Sequence, residues 1–256
     1  MNIKALFVGT LTLCSASAVQ AQEINDVNTP LHLMKPQYDT PYGQPSSQEV
    51  KAVTDRVLAY LETAMPDQMD GEKLKTGTLR LTSYEIGVLY CAMQEVGSAT
   101  GDARYADFAA KRLNLIAKAE PTSLKRLKEN SKFDDQMRKV CFPTALDDAG
   151  AMCTGFIRYA LGEKKGKLND RVIPIIERYI EHVYSKQYRL QDGTLARIRP
   201  HYNTVWLDDM YMGIPCLAWY GRLTGRTEFY DEAVRQIRLF RDKMWVPGQQ
   251  LFRHGW

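Results

Sequence analysis

The chain has 256 residues, of which 45% are hydrophobic and 25% are charged, as is usual for a soluble globular protein. The formal net charge is +4, and the positive residues are scattered along the chain. The absence of a basic block and of an interleaved aromatic motif argues against nucleic-acid binding. A chain of this length forms one large domain or two small ones.

Residues 1–21 have the pattern of an export signal. Lys4 provides the positive region, residues 5–13 form the apolar region, and Val19-Gln-Ala21 resembles a cleavage site. We expect cleavage after Ala21, with lipid attachment at Cys14 as the alternative. The apolar run is too short to span a bilayer. The sequence therefore predicts no transmembrane segment and a periplasmic or secreted protein.

An extended leader rich in Pro, Asn, Gln and Ser is predicted over residues 22–47, followed by seven helices that form the domain over residues 48–256. Apolar residues at helical spacing place the helices at Ser46/Ser47 to Met65, Thr82 to Val96, Ala103 to Ala119, Thr144 to Leu161, Arg171 to Tyr184, Val205 to Leu223 and Glu228 to Met244, with a charged connection at Lys125 to Asp135 and an extended piece at Thr194 to His201. Ser46 and Glu49 have capping-box spacing, and Pro215 is expected to kink or shorten the sixth helix.

An internal repeat supports an all-α fold. Residues 97–109 match residues 221–233, and each copy joins an apolar helix to an amphipathic one through a Thr-Gly pair. A glycine in the left-handed conformation ends one helix and lets the next pack back against it. Repeated hairpins of this kind predict a toroid of helix pairs.

Four cysteines follow the predicted signal: Cys91, Cys141, Cys153 and Cys216. An oxidising compartment would permit a disulfide between Cys141 and Cys153, which are the nearest pair in sequence. The alternative, which we favour, is four buried free thiols. No CxxC or clustered Cys/His spacing is present, which argues against a zinc site.

The most informative stretch is residues 204–220, where Asp208 and Asp209 lie inside an aromatic and apolar run. Burial in apolar surroundings raises the pKa of a carboxyl group and can keep it protonated near neutral pH. Asp208 or Asp209 is therefore a candidate general acid. The alternative is that these acids only cap or solvate the start of a helix.

A second acidic pair, Asp147 and Asp148, opens the fourth predicted helix. Asp147 lies three residues after Thr144, a spacing that suits helix capping. Asp148 is followed by the small residues 149–151, which leave room for a ligand or, equally, for a neighbouring helix. Acids from the two helices can meet on one rim and act as a pair.

Basic and aromatic residues flank the stretch that carries Asp208 and Asp209. Arg197, Arg199 and His201 can hold an anionic substrate through charge-assisted hydrogen bonds, or they form a solvated basic rim. His254 near the end of the chain can contact a polar substrate, or it is an ordinary surface residue. Aromatic faces pack against sugar rings, and the candidates for this role or for core packing are Tyr202, Trp206, Tyr211, Trp219 and Trp256.

Several motifs together resemble those of the unsaturated rhamnogalacturonyl hydrolases of glycoside hydrolase family 105, relatives of the unsaturated glucuronyl hydrolases of family 88. The motifs are Thr204-x-Trp-Leu-Asp-Asp-Met-Tyr-Met, Asp192-Gly-Thr-Leu-Ala-Arg-x-Arg-Pro200, Leu146-Asp-Asp-Ala-Gly150 and His254-Gly-Trp256. Their order and spacing agree with the family from about Thr40 to the last residue.

The resemblance implies an α6/α6 barrel that removes the 4,5-unsaturated galacturonyl residue from pectin fragments. It implies that Asp208 is the general acid/base, that Asp148 is the second active-site acid and that His254 contacts the substrate. We add Trp206, Trp256, Arg199 and His201 as substrate-binding candidates. The implied reaction protonates and hydrates a vinyl ether, needs no metal or organic cofactor, and takes an unsaturated uronyl oligosaccharide as its only predicted partner.

The helix count departs from the family. A full barrel has twelve helices and seven are predicted here, so we expect a partial barrel from a truncated chain that lacks the later helices. The alternative function is therefore a non-catalytic carbohydrate-binding or assembly protein derived from that family. The sequence leaves the oligomeric state open.

Overall fold

The computed structural model describes residues 45–162 and 170–256. The predicted signal peptide and residues 22–44 of the predicted leader lie outside the described residues. The chain divides into two compact units, Met1–Glu49 and Val50–Trp256, and every feature of the candidate site belongs to the second unit. The prediction of an all-α fold is confirmed for the described part of the chain.

Eight α-helices are formed by the described residues, one more than predicted. They are α1 (Ser47–Ala64), α2 (Tyr84–Thr100), α3 (Ala103–Glu129), α4 (Asp135–Cys141), α5 (Leu146–Gly162), α6 (Ile173–Ile180), α7 (Leu207–Thr224) and α8 (Glu228–Met244). A π-helical turn, Glu181–Lys186, continues α6. Two short antiparallel ribbons pair β1 (Met69–Asp70) with β2 (Lys73–Leu74), and β3 (Trp245–Val246) with β4 (Leu251–Phe252).

The predicted capping box begins α1. The backbone N–H and the hydroxyl of Ser46 both donate to Glu49 Oε2, at 2.7 and 2.8 Å, and the Glu49 N–H donates to Ser46 Oγ at 3.2 Å. Two N–H groups that would have no partner in the first turn are thereby satisfied.

The internal repeat forms two equivalent turns, as predicted. Gly101 ends α2 with φ +69°, and Gly225 ends α7 with φ +74°. In both turns the preceding threonine hydroxyl donates to the carbonyl oxygen four residues earlier and accepts from the N–H two residues later. The predicted end of α2 at Val96 was wrong, because the helix runs on to Thr100. Gly97 is buried inside it, and a Cβ there would lie 3.1 Å from Ala106 Cβ on α3.

Three other expectations about helices were wrong. α3 continues through Pro121 to Glu129, because the packing of buried residues beyond the proline outweighs the one lost hydrogen bond. α7 likewise continues through Pro215 to Thr224, so it is not shortened there. The predicted charged connection contains the start of α4, where the Asp134 carboxylate accepts the N–H groups of Gln136 and Met137.

The helices α2, α5 and α7 pack side by side as an inner layer, with α3 against α2 and α8 against α7. Glycines allow this close approach. A Cβ on Gly87 of α2 would lie 2.4 Å from a backbone carbon of Ala151, and a Cβ on Gly150 of α5 would lie 2.2 Å from the carbonyl oxygen of Met212 on α7. The backbones of the inner helices are therefore almost in contact near the ends that carry the acidic residues.

The four cysteines of the described residues are free thiols. Cys141 and Cys153, the pair considered for a disulfide, are both buried. Burial raises the pKa of Cys91 to about 11 and that of Cys141 to about 12, so these two thiols stay protonated and poorly reactive.

Among the helices of the described residues, none combines the length and the apolar character needed to cross a lipid bilayer.

Candidate functional site

Carboxylates from α5 and α7 meet where these helices begin. Asp147 and Asp148 lie in the first turn of α5, and Asp208 and Asp209 lie in the first turn of α7. The N-terminal end of a helix carries partial positive charge, which favours acidic side chains at this position. One oxygen atom from each of Asp147, Asp208 and Asp209 lies within 4.8 Å of the other two. The predicted meeting of acids from two helices on one rim is therefore observed.

Arg197 joins these three acids. Its Nε donates to Asp209 Oδ2 at 2.5 Å, and its Nη2 donates to Asp209 Oδ1 at 2.8 Å. The same Nη2 lies 2.9 Å from Asp147 Oδ2 and 3.3 Å from Asp208 Oδ2. The guanidinium also lies over the Trp206 ring, 4.6 Å from its centroid. One cation thus occupies the position where the three carboxylates converge, and we assign no metal to this cluster.

The three acids differ in burial. The side chain of Asp209 is 1% exposed, whereas that of Asp208 is 31% exposed. Burial raises the pKa of Asp209 to about 6, although its hydrogen bonds to Arg197 act in the opposite direction. Burial disfavours the charge on Arg197, but the carboxylates more than offset this effect and hold its pKa above its usual range. The strongly desolvated acid of the pair is therefore Asp209, the neighbour of the residue matched to the general acid/base.

Asp208 has two unequal oxygen atoms. Its Oδ2 accepts from Arg197, while its Oδ1 is buried and has no hydrogen-bond partner within the described part of the chain. A buried carboxylate oxygen without a donor is unfavourable. This oxygen is best satisfied when it carries a proton or meets a donor from a bound molecule.

Asp147 and Asp148 contact different partners. Asp148 Oδ1 accepts the N–H of Tyr84 at 2.8 Å, at the first residue of α2, and its Oδ2 lies 2.8 Å from Lys139 Nζ on α4. Asp147 instead faces Arg197 and the acids of α7. The hydroxyl of Thr144, considered as a partner in capping, accepts from Arg199 at 3.1 Å.

An open cleft of about 740 Å³ lies beside the acids. Its wall includes Asp147, Asp148 and Arg197. Asp208 is not part of the wall, but its Oδ2 lies 3.3 Å from Nη2 of Arg197, which is. Arg199, one of the substrate-binding candidates, also lines the cleft, and Arg80 and Tyr84 line it from the side of α2. Arg197 was considered as a holder of an anionic substrate, but its contacts show that it binds the protein's own carboxylates.

The last residues of the chain pair with the segment that enters α7. The Val205 and Trp256 backbones exchange two hydrogen bonds of 2.9 and 2.8 Å, and the Leu207 N–H donates to the His254 carbonyl oxygen at 2.8 Å. The imidazole of His254 and the Trp206 indole pack edge to face, with ring centroids 5.6 Å apart. His254 and Trp206 are therefore held together next to Asp208.

Two further substrate-binding candidates lie elsewhere. Trp256 lines a separate recess, where Lys243 Nζ lies 5.3 Å from its ring centroid. His201 is exposed, and its carbonyl oxygen accepts the hydroxyl hydrogen of Thr204. The contacts of neither side chain connect it to the acid cluster.

Sequence reasoning did not single out Asp147 and Tyr84. Asp147 was assigned to capping because of its spacing from Thr144, and Tyr84 lies at a helix start without a motif of its own. The pKa of the Tyr84 phenol is raised, mainly by the negative charge of Glu85 and also by those of Asp147 and Asp208. The phenol therefore feels the electrostatic field of the acid cluster. Acidic residues in the first turns of all three inner helices were the available signal.

The chain is similar to known proteins in both sequence and structure. The sequence model of Glycosyl Hydrolase Family 88 matches residues 51–256. A possible member of the GH105 family from Salmonella enterica serovar Paratyphi A is similar in structure, with 18% identity and a TM-score of 0.58. A possible member of that family from Klebsiella pneumoniae has 17% identity and a TM-score of 0.60.

Both structural alignments cover 87% of this chain, but only 55% and 54% of the Salmonella and Klebsiella chains. The chain therefore spans about half the length of the solved structures that it matches. At these identities the likeness shows a shared fold.

Proposed function

The chain belongs to Glycosyl Hydrolase Family 88, and on this basis we propose that it removes a 4,5-unsaturated uronyl residue from the non-reducing end of an oligosaccharide. The preferred substrates in this proposal are fragments of rhamnogalacturonan. The motifs around Asp208, Asp148 and His254 support it, because they resemble those of the unsaturated rhamnogalacturonyl hydrolases.

The observation that carries the proposal is the environment of Asp208. Its buried Oδ1 has no hydrogen-bond donor among the described residues. Its Oδ2 accepts from Arg197, the one guanidinium among the described residues that contacts the acid cluster. A single positive charge cannot neutralise three carboxylates that lie so close together. Crowding of like charges disfavours the presence of three ionised carboxylates at such short range. We assign the proton donor to Asp208, because the motif around it resembles the family's general acid/base motif.

The proposed reaction begins with transfer of the proton from Asp208 to C4 of the vinyl ether. A C–H bond forms as the carboxyl O–H bond breaks, and positive charge develops at C5. The carboxylates of Asp147 and Asp209 lie close enough to Asp208 to favour that charge. Water then adds at C5 and returns a proton to a carboxylate of the cluster. The resulting hemiketal opens to a ketone at C5 and leaves a hemiacetal at C1. This hemiacetal breaks down to an aldehyde, which breaks the glycosidic bond and releases the rest of the oligosaccharide as an alcohol.

Recognition of the uronyl carboxylate is assigned to the basic wall of the cleft. Arg199 and Arg80 line it, and the Arg80 ion pair with Asp135 is long, at 3.4 Å, and exposed. An exposed pair of this kind contributes little and is readily exchanged for a substrate carboxylate. A planar guanidinium can bind a carboxylate through two parallel hydrogen bonds. His254 and Trp206 are assigned to the sugar ring on the side of α7.

The test is the decay of the ultraviolet absorbance of the unsaturated uronyl group. Wild-type protein should remove this absorbance from unsaturated rhamnogalacturonan disaccharides. Asp208→Asn should lower kcat by at least about 100-fold, because loss of a positioned general acid usually removes 10²- to 10⁴-fold. The matched control is Asp242→Asn, which changes an exposed aspartate on α8 and should leave the rate unchanged.

Two results would contradict the proposal. One is an unchanged absorbance with wild-type protein on both rhamnogalacturonan and glucuronyl disaccharides. The other is a folded Asp208→Asn variant that retains the wild-type rate. Activity on glucuronyl disaccharides alone would retain the reaction and replace the proposed substrate.

A further inference from the structure

We propose that Arg197 is a positioning residue, which orients Asp208 for proton delivery and keeps Asp147, Asp208 and Asp209 together as one proton-sharing group. This inference rests on the proposed function. It assigns to Arg197 a role different from the substrate contact that its sequence position suggested.

The contacts of Arg197 leave its position little freedom. The two hydrogen bonds to Asp209 fix the plane of the guanidinium, because they use Nε and Nη2 on one edge of it. The Trp206 ring covers one face of that plane. The backbone of Arg197 is fixed as well, since its N–H donates to the Thr204 carbonyl oxygen at 2.8 Å.

A fixed guanidinium fixes the carboxylates that it holds. Nη2 reaches Asp147 on α5 and Asp208 on α7, and thus joins two inner helices through one nitrogen atom. Because it holds Asp208 by Oδ2, the other oxygen, Oδ1, is left without a partner in the described structure. Arg197 therefore fixes which oxygen of Asp208 is held by a guanidinium and which is left to carry a proton.

Arginine suits this role better than lysine. Its planar group presents several N–H donors in fixed directions, whereas a lysine ammonium is a point charge on a flexible chain. A lysine at this position would supply the charge without holding Asp209 through two bonds and Asp147 and Asp208 at the same time. Charge and orientation can thus be separated by substitution.

Other titratable and charged groups face the cluster and belong in any interpretation of its pH dependence. They are Tyr84 and Glu85 on α2, Lys139 on α4, Asp148 on α5, Arg199 before α7, and His254 against Trp206. Lys139 is paired with Asp148 at 2.8 Å, so these two charges largely compensate each other.

The experiment compares Arg197→Gln, Arg197→Lys and the double variant Arg197→Gln/Asp147→Asn, with Arg241→Gln on the exposed face of α8 as the control. The substrate is an unsaturated rhamnogalacturonan disaccharide, and kcat and KM are measured as functions of pH. Arg197→Gln should lower kcat by about 100-fold or more with KM changed less than about threefold, because orientation is lost rather than ground-state binding. Its pH–rate profile should move to higher pH by about one unit or more, because a positive charge has been removed from beside the acids.

The other two variants separate the loss of orientation from the loss of positive charge. Arg197→Lys should keep the pH profile near that of wild type while kcat stays low. The double variant removes one negative charge together with the positive one, so its pH profile should return toward that of wild type without recovery of kcat. Arg241→Gln should match wild type in all three measurements. Thermal unfolding establishes that each variant is folded, and Arg197→Lys carries the test if Arg197→Gln does not fold.

Two outcomes would overturn the proposal. If Arg197→Gln raises KM and leaves kcat and the pH profile unchanged, Arg197 binds substrate instead. If Arg197→Lys has the wild-type kcat, a fixed guanidinium is not needed. A wild-type protein without activity would refute the proposed function, and titration of the aspartate carboxyls by nuclear magnetic resonance would then decide the present inference. In that measurement the cluster must titrate at higher pH in Arg197→Gln than in wild type, and an unchanged titration refutes it.

Discussion

Asp209 is the least exposed carboxyl group of the candidate site, and its ionisation is coupled to folding. Its pKa is raised by burial from an ordinary value of 3.8 to about 6. A group that binds its proton more tightly in the folded state stabilises the fold below its unfolded pKa, and loses that contribution as the pH rises through its folded pKa. For Asp209 the loss falls between about pH 4 and about pH 6, set by these two pKa values.

We therefore expect the free energy of unfolding of wild type, relative to that of Asp209→Asn, to fall as the pH rises through this interval. A pKa that differs by about two units between the folded and unfolded states changes the free energy of unfolding by about 3 kcal/mol at most. Urea unfolding at a series of pH values measures this difference.

Asp102 provides the control for that measurement. Its hydrogen bonds to Arg104 hold its pKa well below its usual range, so its contribution has the opposite sign and is lost only as the pH falls below about 4. The difference between wild type and Asp102→Asn should stay constant between about pH 4 and about pH 6. If the free energy of unfolding of wild type relative to Asp209→Asn stayed constant over the same interval, burial would not raise the pKa of Asp209 as described.

The site could be predicted from sequence only in part. The motifs brought Asp208 and His254 forward, and the positions of the acids at helix starts suggested a shared rim. The partnership of Arg197 could not be predicted, because its three partners lie 11, 12 and 50 residues away in sequence. For the same reason Asp147, whose nearest sequence feature was Thr144, was assigned to capping.

For the helices, apolar periodicity predicted where a helix lies better than it predicted how long the helix is. α8 begins and ends as predicted, because its buried residues keep a helical spacing from Phe229 to Met244. α4 was missed, since its seven residues are too few for a periodic pattern. α3 was predicted to end at Ala119, two residues before Pro121, but tertiary packing carries the helix through the proline to Glu129.

Close packing of α5 against α7 places the acids of both helices within reach of the Arg197 guanidinium. Gly150 permits this close packing. Gly150→Ala should lower the free energy of unfolding by about 2–3 kcal/mol, because the new Cβ would overlap the Met212 carbonyl and two backbones would have to separate. The same separation should lower kcat. Chemical denaturation and the absorbance assay measure the two effects.

Gly155→Ala on the same helix is the matched control. Its Cβ would meet no atom closer than Tyr90 Cβ at 3.5 Å, which is an ordinary contact. Replacement of a glycine in a helix interior by alanine favours the helix by up to about 1 kcal/mol, so this variant should be as stable as wild type or slightly more stable. Equal stability of the Gly150 and Gly155 variants would show that the α5–α7 distance is adjustable.

The chain as a whole spans 54–55% of the length of the solved chains that share its fold. Catalysis and simple carbohydrate binding are therefore to be distinguished by measurement on this chain. A binding protein and an enzyme differ in whether bound oligosaccharide is consumed.

We expect Asp208→Asn to bind unsaturated rhamnogalacturonan disaccharide without consuming it. Binding to the folded state alone stabilises it by about 2.7 kcal/mol when the ligand is present at 100 times its Kd. The melting temperature of the variant should therefore rise with ligand concentration and stay raised, whereas that of wild type should fall back as the ligand is hydrolysed. A permanent rise in wild type, with the ultraviolet absorbance unchanged, would favour the non-catalytic binding protein.

The Thr-Gly turns close the hairpins at the ends of α2 and α7 that are remote from the acids. α2 has 17 residues and α7 has 18, and at about 1.5 Å per residue each turn lies roughly 25 Å from the first turn of its helix. A fluorescent dye attached near Thr100 or Thr224 would thus report on hairpin opening without disturbing proton transfer. Folding and turnover could then be followed in the same sample.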